Sequence, residues 1–109
     1  MNDAVRNRPD ELSRLRSEHR ALAILRLLHR QPGYRSNELL ITDWLAMIGL
    51  AGSRAETRDL LETLERKQLV KLATTEGMIV AELTEQGLDA AKGVTIVEGV
   101  LRPGPECPY

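Results

Sequence analysis

The sequence predicts a mainly helical α+β domain in the order α-α-α-β-β-α, followed by an extended tail. Three observations carry this. Apolar residues recur at helical spacing through residues 9–30 and again through 37–48. A serine-opened segment starting at Ser53 carries its own helix start signal. Two β-rich runs then flank a three-residue turn.

The first helix is expected over 9–30. Pro9 suits a first turn, and Asp10 and Glu11 follow where the helix dipole favours acids. Leu12, Leu15, Leu22, Leu25 and Leu28 form its stripe. From Ala21 to Leu28 it is apolar almost all round, which predicts burial on more than one side. The breadth of that run points to a homodimer pairing through this helix, with Leu15, Leu22 and Leu25 at the contact. Pro32-Gly33 stops the helix.

The second helix is expected from Asn37 to Ile48, capped by Ser36 or Asn37 and closed by Gly49. Leu40, Ile41, Trp44, Leu45 and Ile48 form its apolar face. The third opens at Ser53, where Ser53-Arg54-Ala55-Glu56 matches a capping box, and runs to about residue 67 or 68. Leu60, Leu61 and Leu64 are its buried stripe. The hairpin pairs 69–74 with 78–83, and Thr84 caps a short helix of about 85–91 that ends at Gly93. That order is a winged helix-turn-helix. The chain divides into a flexible basic arm over 1–8, the winged domain over 9–93 and a tail over 94–109. The β-branched run Val94 to Val97 favours an extended, ordered tail that adds a strand to the hairpin or crosses to a partner subunit, with only the end past Pro103 loose.

Composition narrows the function. Aromatic residues are only 3% of the chain, so the core is aliphatic and there is no base-stacking platform for single strands. A lone Cys107 excludes an internal disulfide. No run is long and apolar enough for a membrane span, and the N-terminal segment lacks a signal-peptide core, so a cytoplasmic protein with no membrane contact is expected. Net charge is −1, yet residues 1–35 hold eight arginines against four acids, an asymmetry that can carry an electrostatic footprint inside a neutral total.

The phrase formed by Leu61, Leu64, Glu65, Leu69 and Val70, then Leu83, Thr84 and Gly87, resembles the helix–wing–helix passage of bacterial winged-helix regulators of the ArsR-like and MarR-like groups. Gln68 stands where glycine is common there. A narrower resemblance spans residues 20–105. Pro32-Gly33-Tyr34, the helix pair and the Gly93…Gly99-Val100…Arg102-Pro103 tail look like a small ArsR-labelled protein of Mu-like transposable phages. This resemblance implies a winged-helix fold and a DNA-binding regulatory role in a bacterial host's cytoplasm.

The expected partner is double-stranded DNA, with helix 53–68 as recognition helix. Arg54 and Arg58 stand near its N-terminus, where arginine makes paired bonds to guanine in the major groove. Ser53, Thr57 and Glu62 share that surface, with Lys71 at the base of the wing. The i, i+4 series Arg58, Glu62, Arg66 also reads as a solvated, ion-paired face. The wing tip Thr74 to Gly77 has no base and reads as a structural turn. Arg6, Arg8, Arg14 and Arg16 are candidate phosphate contacts. His19, His29 and Cys107 are scattered, so no metal and no cofactor is expected. No nucleophile–base pair or phosphate loop appears, so the chain is not expected to be an enzyme. The alternative reading is a protein-interaction module that keeps the fold without binding DNA, in a phage assembly or host-takeover complex.

Overall fold

The structure, a computed structural model, describes the main chain from residue 2 and the side chains from residue 10 to 109. It contains α1 (Asn2–Arg30), a 3-10 turn (Pro32–Tyr34), β1 (Arg35–Asn37), α2 (Glu38–Met47), α3 (Arg54–Arg66), β2 (Val70–Thr75), β3 (Met78–Leu83) and α4 (Glu85–Lys92). The strands make one antiparallel sheet in the order β1-β3-β2. This is the winged helix-turn-helix layout read from the sequence, with one added strand. β1 went unread because it is three residues long and lacks an alternating pattern; it exists through its pairing with β3, Ser36 opposite Ala81.

Helix ends follow local chemistry. Asn37 caps α2, its side chain accepting from Leu40 N at 2.8 Å, so α2 starts at Glu38. Ser53 and Glu56 complete the capping box of α3. Thr84 caps α4, and Gly93 ends it in the left-handed conformation. β2 and β3 meet through a two-residue turn at Glu76 and Gly77, both with positive φ, as a tight hairpin needs.

α1 begins earlier than Pro9, at Asn2, and so takes in the stretch read as a basic arm. At about 1.5 Å per residue its 29 residues span roughly 43 Å, most of the molecule's 50 Å length. From Asp10 to Ser17 every side chain is exposed; the helix becomes buried from Arg20 onward. The broad apolar run is explained within one chain. Ala21 to Leu25, Leu27 and Leu28 are all buried, because α2, α3, α4 and β3 pack around this half of α1. Leu22 and Leu25 therefore belong to the domain's own core and cannot be a subunit contact. Leu15 is 47% exposed and Leu12 67%.

Two stripes also shift. Leu40 is exposed, and the buried face of α2 is Glu38, Ile41 and Leu45. On α3 the buried residues are Thr57, Leu61 and Leu64, with Leu60 at the margin.

The tail forms no strand. It pairs with neither edge strand, β1 or β2, and Val94 and Ile96 are exposed. Val97, Val100 and Leu101 turn inward instead, and Leu101 N bonds Glu18 O of α1 at 3.1 Å. Beyond Pro103 the chain packs back as well, with Cys107 and Tyr109 against the core. Among the described residues no helix is long and apolar enough to cross a membrane.

Candidate nucleic-acid interface

The site is built on one buried carboxylate. Glu38, in the first turn of α2, has no exposed surface. Its Oε1 accepts from Arg54 Nε at 2.8 Å and from Arg58 Nε at 2.5 Å. Its Oε2 accepts from Arg58 Nη2 at 3.0 Å and from the main-chain N–H of Ile79 at 2.6 Å. A carboxylate has about four lone-pair positions, so the group is saturated. One residue thus links α2 to the N-terminal turns of α3 and to β3. The Arg58 guanidinium, then that of Arg54, holds the Glu38 carboxyl far below the usual carboxylate range, overriding the opposite push of burial. The Arg58 guanidinium is correspondingly stabilised in its charged form by Glu38.

The two arginines named from sequence are therefore brought together, but by a residue that sequence reasoning passed over. A lone glutamate at a helix start reads as a dipole partner, and nothing local marks its pairing with residues sixteen and twenty positions on. Both arginines keep solvent contact, Arg54 with 48% of its side chain and Arg58 with 38%. Arg58 Nη2 also lies 3.4 Å from Gly77 O in the hairpin turn. The two terminal nitrogens of Arg54 have no partner among the described residues.

The remaining candidates divide. Ser53 is exposed, its hydroxyl accepting from Glu56 N in the cap. Thr57 is a correction: it is completely buried, its hydroxyl donating to Ser53 O at 3.2 Å and meeting Thr42 Oγ1 at 2.9 Å, so it cannot touch a ligand. Glu62 is exposed one turn past Arg58, but no ion pair with Arg58 or Arg66 forms; Arg66 instead donates to Thr63. Lys71 is exposed on β2 opposite Glu82, at the end of the hairpin away from Gly77, so it does not join the arginine pair.

Arg16 goes to the other flank of α3, 3.9 Å from Glu56. Two residues apart on a helix are about 200° apart round its axis, so Glu56 and Arg54 face different ways. Arg14 is exposed with no partner among the described residues. The side chains of Arg6 and Arg8 lie outside the described residues. Beside Glu56, Arg20 is buried and donates to it at 3.4 Å; burial, then Arg16, pushes its pKa down. Here α1, α3 and the tail enclose a groove of about 410 Å³.

His19 and His29 are separated: His19 Nδ1 meets the Tyr109 hydroxyl at 2.7 Å, while His29 lies against the ring of Tyr34. Cys107 is half-buried in the tail. Among the described residues no three His, Cys, Asp or Glu side chains cluster as metal ligands.

No family model matches the chain, and no solved structure matches it. The chain is 37% identical over 89 residues to the uncharacterized protein gp26 of Escherichia phage Mu. That similarity spans 82% of this chain and 92% of the phage protein. With so much of both chains aligned, this protein belongs to the family of phage Mu gp26.

Proposed function

We propose that this protein is a sequence-specific, double-stranded DNA-binding transcriptional regulator of phage or prophage type, of ArsR-like form, acting in the host cytoplasm. α3 is its recognition helix. The observation that carries the reading is the arginine pair. Arg54 and Arg58 are held side by side at the exposed N-terminal turns of the second helix of a helix-turn-helix, where that fold meets base edges. Arg14, exposed on α1, serves as a phosphate contact. Subunits pair through the outer half of α1 at Leu12 and Leu15, not through the buried leucines.

Selection from a random duplex library at low salt tests the reading, with sedimentation of the same sample. An enriched site and a dimer support it. Arg14→Ala should weaken all sequences alike and lower the salt slope. Folded protein that retains no duplex at micromolar concentration and low salt sinks it.

A second reading has one observation in its favour. Leu40 and Met47 of α2, and Tyr34, are exposed, 46%, 78% and 44%. Aromatic and Met side chains are the kind enriched in protein interfaces. A protein-interaction module would lose its partner on Met47→Glu while binding no DNA.

A further inference from the structure

The four bonds to Glu38 do not treat the two arginines alike. Arg58 gives Glu38 its Nε and Nη2, the whole side edge of its fork. Its end edge is half engaged too, because Nη2 also approaches Gly77 O. Paired recognition of guanine O6 and N7 needs two adjacent free N–H groups on one edge. Arg58 has no such edge. Arg54 gives Glu38 its Nε alone, and its Nη1–Nη2 end edge is free on a side chain that is nearly half exposed.

Position reinforces the difference. Arg54 is the first residue of α3, next to the cap. Arg58 lies one turn further in, between α2 and the hairpin turn. Glu38 itself cannot swing, since it is buried and also accepts from Ile79 N. A side chain tethered to an immobile group loses less rotamer freedom on binding, so its contact is more selective. Two guanidinium groups share one carboxylate, which leaves a net positive charge at the mouth.

We propose a division of labour that rests on the DNA-binding reading: Glu38 is a positioning residue that presents Arg54 as the guanine reader, while Arg58 clamps the wing to α3 and reads no base. This departs from the sequence expectation, which gave both arginines the same role.

The test compares wild type, Arg54→Lys, Arg58→Lys and Glu38→Gln in duplex selection from a random library and in thermal melting. Lysine at 54 keeps the charge and one bond to Glu38 but cannot make the paired contact. Arg54→Lys should melt close to wild type and lose roughly ten- to hundredfold of preference at one guanine of the site. Arg58→Lys should melt lower and select the same bases. Glu38→Gln should melt lower and, assayed while folded, weaken preference at the guanine that Arg54 reads. If Arg54→Lys selects the wild-type sequence with undiminished preference, the proposal fails while the DNA reading stands. It fails equally if Arg58→Lys drops a base preference and melts like wild type. A folded wild type that retains no duplex overturns the DNA reading and the proposal together.

Discussion

Gly87 of α4 lies against the main-chain oxygen of Leu69, so close that a Cβ at position 87 would overlap that oxygen and crowd Leu83 Cδ1. The oxygen cannot yield freely, because it accepts from Thr84 N at 3.1 Å. Thr84 in turn accepts from Gly87 N with its hydroxyl, which donates to Gln68 O at 2.7 Å. Gly87→Ala should therefore cost about 3 kcal/mol, the upper range for overpacking, or prevent folding. Gln86→Ala, on the exposed side of the same turn, should stay within about 0.5 kcal/mol. Denaturant midpoints compare the two, and equal midpoints would contradict the close approach.

Gln68 has φ 64, in the left-handed region. It follows the last turn of α3, and Gln68 N and Leu69 N close that helix on Glu65 O and Leu64 O. An L side chain pays about 1–2 kcal/mol for this conformation, which glycine escapes at some cost in unfolded-chain entropy. Gln68→Gly should raise stability by roughly 0.5 kcal/mol, and Gln68→Ala should give no gain. Thermal melting of the two variants decides it; a destabilised Gln68→Gly would mean the side chain does more than fill the turn.

These positions show why the fold was legible. Ser53-x-x-Glu56, Thr84-x-x-Gly87 and Gly93 are local instructions, each satisfied within a few residues. What stayed hidden depends on contacts distant in sequence. The apolar run of α1 looked too wide for one domain because sequence gives breadth but not the number of neighbours. The tail looked like a strand because β-branched composition gives a strand preference but not a partner, and here Val97, Val100 and Leu101 pack on the core instead. Thr57, marginal to the α3 stripe and counted with the DNA-facing residues, and Glu38, which carries no local signal, are both completely buried because partners sixteen or more residues from Glu38, and Thr42 for Thr57, satisfy them. Arg54 and Arg58 stand out together by their i, i+4 spacing, but their shared bond to Glu38 and the unequal geometry that follows from it were out of reach.

Glu38 should govern the acid limb of stability. Its carboxyl titrates well below the ordinary range in the folded state, chiefly through Arg58. In the unfolded chain it returns to about 4.3. The stability it contributes is thus complete above that value and is lost as pH falls toward the folded one. At neutral pH, Glu38→Gln should cost roughly 2 kcal/mol, since a charge-assisted bond network is replaced by a neutral one. The gap between wild type and variant should close between about pH 5 and pH 2. Denaturation at each pH measures it, and a gap that stays constant would assign the acid sensitivity to other groups.

The tail should respond at the opposite end of the pH scale. The Tyr109 hydroxyl lies 2.7 Å from His19 Nδ1, and the rings meet edge to face. Its main-chain oxygen accepts from Arg26 Nε at 2.7 Å, while Arg26 Nη1 donates to Ala91 O at 2.9 Å, so one arginine of α1 ties the tail to α4. Burial pushes the phenol above its ordinary value of 10.0. A raised folded value means the contribution is present below about pH 10 and is lost as pH climbs through the folded pKa. Tyr109→Phe keeps the ring and removes the hydroxyl, and should cost about 1 kcal/mol at neutral pH. It should also flatten the alkaline decline expected of wild type. Arg26→Met should release both carbonyls at once and expose the amides of Val100 and Leu101, which otherwise bond Val97 O and Glu18 O, to fast hydrogen exchange. Protection at those two amides that survives Arg26→Met would show that apolar packing of Val97, Val100 and Leu101 holds the tail without the arginine.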